Sequence, residues 1–216
     1  MRKMSSDQHY GHLRISELTG RPFRSGAAGV ADMNAYLIAR HNEFVQPEDE
    51  FWSLGDFALG QIRETLPIAG QLNGRRKILV AGNHDRCWAG ARNSAGWDRR
   101  YLEAGFSRVM AGSPPCCPTM IIAGQVVSLS HFPWHGGGDS RETERHAEHR
   151  LADTGGWLLH GHVHEKWRQR GRMINVGVDA WGGRPVSEEE ITGLIEAGPR
   201  DLAPLPWPDM PEALAG

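Results

Sequence analysis

The chemistry-bearing residues of this chain gather in five short clusters. Asp7 and His9 stand in SSDQHYGH, Asp56 in LGD, Asn83 and His84 in GNHD, His131 in LSHFPW, and His162 and His164 in HGHVH. This mixture suits a site for two divalent cations: imidazoles and carboxylates as direct donors, with one carboxylate bridging ions ~3.5–4 Å apart. Asp56 is the natural bridge. Taken alone, GNHD is ordinary turn chemistry behind a glycine; the other four clusters change that reading. The D-x-H and H-x-H spacings predict that each pair points to one side of an extended segment. Gly55, Gly82 and Gly161 are expected to permit tight turns and close backbone approach just before the ligand residues.

Each cluster sits where a short apolar run ends. FWSL (51–54) runs into Gly55 and Asp56, KILV (77–80) into AGNHD, MIIAGQVVSLS (120–130) into His131 as a hairpin, and WLL (157–159) into HGHVH. Between them the pattern predicts helices over about 29–45, with Met33, Leu37 and Phe44 at helical spacing, about 60–72 and about 97–104. Strands alternating with helices predict an α/β fold, in which ligands collect outside the carboxyl ends of the strands.

A length of 216 residues suits a single domain, read as 1–198, and the proline-dense segment 199–216 reads as an irregular tail. The net charge of −2 argues against a general polyanion-binding surface and leaves room for a local basic patch. No apolar run has the length of a signal peptide core or a membrane span, so a cytoplasmic protein with no membrane association is expected. Cys87, Cys116 and Cys117 make a poor disulfide framework and read as bystanders. No protein partner is visible in the sequence.

In their order, D-x-H, G-D, G-N-H-D, H and G-H-x-H, the clusters resemble the calcineurin-like metallophosphoesterase superfamily, from Asp7 to about Asp179. GRPF, LGDF, LNGRRKILVAGNHD, LSHFPW and INVGVDAW are similar, more narrowly, to its small bacterial and phage-borne members. The resemblance implies a four-layer sandwich of two mixed β-sheets flanked by helices. It implies one metal on Asp7, His9, Asp56 and His164, and a second on Asp56, Asn83, His131 and His162. His84 and Asp85 are the implied catalytic pair, His84 facing the substrate and Asp85 supporting it from outside the ligand set. The implied reaction is hydrolysis of a phosphate ester by a metal-bridging hydroxide, with His84 assisting the leaving group. Diesters are favoured over monoesters by analogy, and the substrate class extends to nucleotides and nucleic-acid ends. Mn²⁺ is the first choice of cation, with Fe, Zn, Co or Ni also suited to mixed N/O ligands. The alternatives are a nuclease using the same centre, and a non-catalytic metal-binding interaction scaffold.

Two residues outside the clusters are weighed as substrate contacts: His12, from the D-x-H-x-G-H pattern, and Arg21, whose guanidinium suits phosphate. The alternatives are a loop histidine and a surface arginine beside a turn-forming proline. HGGG (135–138) resembles an esterase oxyanion loop, but no G-x-S-x-G elbow accompanies it, so it reads as a rim loop. His146 and His149 have the spacing of a zinc pair on a helix but fall in a run polar enough to read as a solvated face, and KWRQRGR (166–172), whose arginines could draw in anionic substrates, reads as an exposed hairpin. The polar lead MRKMSS predicts a short, weakly anchored first strand, which makes Asp7 and His9 the least secure ligands.

Overall fold

The computed structural model describes residues 1–115, 117–136 and 146–209. Its first sheet contains β1 (Arg2–Ser5), β2 (Glu50–Ser53), β3 (Arg76–Val80), β4 (Arg108–Met110) and β10 (Val186–Ser187) in the order β10-β1-β2-β3-β4. β1 to β4 are parallel and β10 closes the edge antiparallel. The second sheet has the order β11-β8-β9-β7-β6-β5, from β5 (Thr119–Ile122), β6 (Gln125–Leu129), β7 (Trp157–His160), β8 (Gln169–Gly171), β9 (Met173–Asn175) and β11 (Arg200–Leu202). Here β6, β7 and β9 are parallel neighbours and the remaining pairings are antiparallel. The helices are α1 (Ile15–Thr19), α2 (Gly26–Phe44), α3 (Ile62–Thr65), α4 (Trp97–Glu103) and α5 (Glu188–Glu196).

Two apolar cores explain the layering. Met4, Leu54 and Val80 of the first sheet pack against Val127, Leu129, Leu159 and Ile174 of the second. On the other side of the first sheet, Met33 and Leu37 of α2 pack with Phe57, Leu66, Leu79 and Tyr101. The molecule is thus a pair of mixed sheets flanked by helices, as the resemblance implies. α5 begins at a capping box in which Ser187 Oγ accepts from Glu190 N–H while the Glu190 carboxylate accepts from Ser187 N–H.

Two expectations are corrected. The polar first strand is firmly held: β1 lies between β2 and β10, Met4 is fully buried, and Ser6 Oγ donates to Leu54 O at 2.9 Å. A ladder on both sides supplies the anchoring that its few apolar side chains do not. The tail beginning at 199 is not wholly irregular, because 200–202 form β11 against β8. The prolines among its described residues, at 199, 204, 206 and 208, all lie outside those paired residues. Leu205 N–H then donates to Ala180 O at 3.0 Å, and Trp207 meets Phe23 edge-on at 5.8 Å. Cys116, positions 137–138 of the HGGG run, 140–145 of the run before His146, and 210–216 of the tail lie outside the described residues. Cys87 is buried, and burial pushes its thiol upward, which suits a bystander. Among the described residues no helix is long and apolar enough to cross a membrane.

Candidate metal centre

The five clusters converge from the carboxyl ends of β1, β2, β3, β6 and β7, the edge at which α/β sheets present ligand sites. The backbone there departs from the expected extended segments. Asp7, His9, Asp56, His162 and His164 lie in the left-handed region, with φ of 57°, 52°, 54°, 71° and 49°. Strand alternation therefore does not bring the D-x-H and H-x-H pairs together; left-handed turns immediately beyond the strands do. Each such residue costs on the order of 1–3 kcal/mol and persists where its surroundings over-determine it. Those surroundings are visible: Asp7 N–H donates to Gly55 O at 2.9 Å, His9 N–H to Asp56 O at 3.0 Å, and His162 N–H to the Asp7 carboxylate at 2.9 and 3.1 Å. Glycine is required for close approach at two points. A Cβ on Gly82 would overlap Asp56 Oδ1, and one on Gly161 would overlap Ser6 Oγ and Asp7 Oδ2.

Two compact groups have the composition and spacing to hold a metal ion: Asp7, His9 and His164, and Asp7, Asp56 and His131, the donor atoms of each lying within 4.8 Å of one another. Asp7 is common to both. Asp56, the bridge suggested by the sequence, also stands between histidines, its Oδ2 3.6 Å from His9 Nε2 and 3.3 Å from His131 Nε2. Asn83 Oδ1 lies 3.2 Å from the same His131 nitrogen, and the His162 ring centroid is 5.2 Å from that of His131.

The donor chemistry fits cations. His131 Nδ1–H donates to Leu54 O at 2.8 Å and His164 Nδ1–H to Asp179 Oδ2 at 2.8 Å, so both rings turn Nε2 toward the centre. Both ring nitrogens of buried His9 lack a hydrogen-bond partner. Electrostatics sort the imidazoles into two kinds. Burial works against a charged His131, but Asp56 beside it prevails and raises the ring to about 9. Asp56 is pushed up by burial yet held well below the carboxylate range by His131, His84 and His9. His9 and His162 are held well below the usual histidine value, chiefly by burial, and are neutral at pH 7, the form in which an imidazole can bind a cation.

Residues around the centre divide into supports and pocket walls. Asp85 is not a substrate-facing group: it is buried and accepts from Asp56 N–H at 2.8 Å, Gly82 N–H at 2.9 Å, Phe57 N–H at 3.2 Å and Tyr101 Oη–H at 3.2 Å. Four donors clamp it, so it positions the GNHD turn. Burial, helped by the charge of Asp56, raises it to about 7. Arg21 is corrected too. It is neither a surface arginine nor open to phosphate, because its guanidinium is buried and bidentate on Asp179 at 2.8 and 2.9 Å. It also donates to Asp7 O at 2.6 Å and Gln8 O at 2.9 Å. Asp179, which no spacing argument singled out as functional, joins Arg21 to His164; its place in INVGVDAW was the available signal.

His84 and His12 line a cavity of 450 Å³ together with His9, Asn83, His162 and His164. The His84 side chain is 44% exposed, and its Nε2 is 4.0 Å from Asp56 Oδ2. His146 lines the same cavity, its ring 5.2 Å from Trp88 and 6.4 Å from His162, in place of the expected solvated face. His149 packs on Trp88 at 4.5 Å, and its Nδ1 is 2.8 Å from Ser113 Oγ. Aromatic partners distant in sequence draw both histidines inward, which local polarity could not reveal. The hairpin reading of 166–172 holds for β8 and β9, although Gln169 is fully buried.

The chain is 34% identical to the Gene 66 protein of Mycobacterium phage L5 over 199 residues, 88% of this chain and 92% of the relative. It is 34% identical to the Gene 66 protein of Mycobacterium phage D29 over 202 residues, 90% of this chain and 96% of that one. Among solved structures, a protein of unknown function from Aquifex aeolicus superposes with a TM-score of 0.61 at 28% identity, covering 90% of this chain and 98% of its own. No family model matches the sequence.

Proposed function

We propose that this chain, which belongs to the family of the mycobacteriophage Gene 66 proteins, is a dinuclear metal-dependent phosphoesterase acting on diesters in preference to monoesters. One observation carries the reading: Asp56 Oδ2 stands 3.6 Å from His9 Nε2 and 3.3 Å from His131 Nε2, one histidine from each candidate group, and neither ring nitrogen of buried His9 has a hydrogen-bond partner. The ordered motifs that resemble metallophosphoesterases support it, and the diester preference rests on that analogy. Asp7, His9, Asp56 and His164 would hold one cation, and Asp56, Asn83, His131 and His162 the other, with Mn²⁺ the first candidate. When bound, such ions supply Lewis acidity and lower the pKa of water.

The protein's own groups set the rest of the chemistry. His131 and His164 are fixed through Nδ1, which holds their orientation during turnover. Asn83 contributes a neutral oxygen, limiting the negative charge that meets an anionic substrate. His84 N–H donates to Asp56 Oδ1 at 2.8 Å, so the backbone of the GNHD turn is locked to the candidate ligand set while the imidazole, 44% exposed, lines the pocket. From there His84 stabilises or protonates the departing oxygen.

The test is hydrolysis of bis(p-nitrophenyl) phosphate beside p-nitrophenyl phosphate, by metal-stripped protein with and without Mn²⁺. Metal-dependent cleavage, faster for the diester, is expected. Equal activity without metal would overturn the reading.

A further inference from the structure

Imidazoles and carboxylates account for only part of the 450 Å³ cavity; Leu18 of α1 gives it an apolar face, with Ile15 and Val163 buried behind the same lining. Leu18 is 58% exposed. A lone exposed leucine is ordinary, but this one shares a cavity with His12 and His84. The wall is also tied to the ligand loop. His12 N–H donates to His9 O at 3.0 Å, and Thr19 Oγ–H to Ile15 O at 2.8 Å. Gly11, at φ 80°, presses the loop against Leu59 O, where a Cβ would come within 2.8 Å, and its N–H donates to Asn34 Oδ1 at 3.1 Å. The distance from shelf to ligands is therefore set by the fold. Glu165 and Lys166, opposite in sign, lie at the same cavity, so the shelf discriminates by shape and polarity more than by charge.

Resting on the phosphoesterase reading, we propose that Leu18, backed by the buried Ile15, receives the organic group of the ester beside His84. The preferred substrate is then a small phosphodiester whose leaving alcohol carries a planar, largely apolar group, in preference to a polyol or simple alkyl phosphate. Leu18 is a specificity-determining residue, outside the metal and proton chemistry.

Ligand binding to the Mn²⁺-loaded protein, followed by calorimetry, separates the shelf from the metals. Inorganic phosphate, methylphosphonate and phenylphosphonate share an anionic head, and only the last covers Leu18. Phenylphosphonate is expected to bind about tenfold more tightly than methylphosphonate, as for a ring moved from water onto an apolar wall. Leu18→Ser should narrow that ratio to within about twofold without changing phosphate affinity, and Leu18→Met should restore it. Equal affinity for the two phosphonates in the unaltered protein, or a preference that survives Leu18→Ser, overturns the shelf and leaves the phosphoesterase reading standing. If none of the three binds, that reading fails and the shelf with it.

Discussion

Arg21→Met tests whether the guanidinium beneath the ligand loop holds the site together or meets substrate. The replacement keeps much of the apolar stem and removes the charge. Five hydrogen bonds disappear, two to Asp179 at 2.8 and 2.9 Å, two to the carbonyls of Asp7 and Gln8 at 2.6 and 2.9 Å, and one to Met33 Sδ at 3.4 Å. Asp179 stays buried with His164 as its remaining charged partner. Breaking one side of a buried ion pair costs about 3–5 kcal/mol, a large part of a typical stability of about 5–15 kcal/mol. For a chain of this size that lowers the melting temperature by roughly 10 °C. Denaturant unfolding of the metal-stripped protein measures the loss without interference from bound ions. Arg21→Met combined with Asp179→Leu should recover part of it, since no charge is then left unpaired. A loss below about 1 kcal/mol, together with a raised KM, would refute the supporting role and return Arg21 to the substrate.

His84→Ala should lower turnover by about 10²–10⁴-fold while metal content by elemental analysis stays near that of the unaltered protein; a parallel loss of metal would make His84 a ligand. Asp179 is held at about 2, where burial opposes and Arg21 and His164 prevail, against an ordinary 3.8. Its folded value is depressed, so its contribution, on the order of 2 kcal/mol, is complete above pH 3.8 and lost as pH falls toward 2. Acid unfolding of Asp179→Asn should lack that component, and an unchanged acid limb would contradict it. Because His131 is raised to about 9 by Asp56, a cation must displace its proton. Mn²⁺ affinity measured by calorimetry should therefore climb by up to about tenfold per pH unit from pH 6 to about 9, and a flat profile would remove His131 from the ligands.

The candidate ligand residues were legible because their chemistry is local: each cluster announces itself by residue type at the end of an apolar run, as with KILV before GNHD. How they converge was not legible. D-x-H suggests an extended pair, whereas Asp7 and His9 are both left-handed, a conformation imposed by contacts to Gly55 and Asp56 far along the chain. Arg21 reads as a surface residue because its partner, Asp179, is brought to it only by the finished fold. His146 was hidden in a polar run, and its own ring packs against Trp88 and Phe132, partners distant in sequence. Among the elements, the short apolar runs of β3, β6 and β7 stood out. Three-residue strands such as β8, β9 and β11 carry too little periodicity to be seen, and the prolines around β11 argued against it.

The convergence of strands from both sheets has a mechanical consequence. Asp7, His9 and Asp56 follow β1 and β2 of one sheet, and His131, His162 and His164 follow β6 and β7 of the other. An ion gripped there is a rivet through the two plates of the sandwich, fastened at one edge of their shared apolar seam. With an ion held there, the plates would neither slide nor part at that edge until coordination broke, so loading the protein would slow its disassembly more than hasten its assembly. Calcium-free trypsin digestion with and without Mn²⁺ would report that as a longer lifetime of the intact chain.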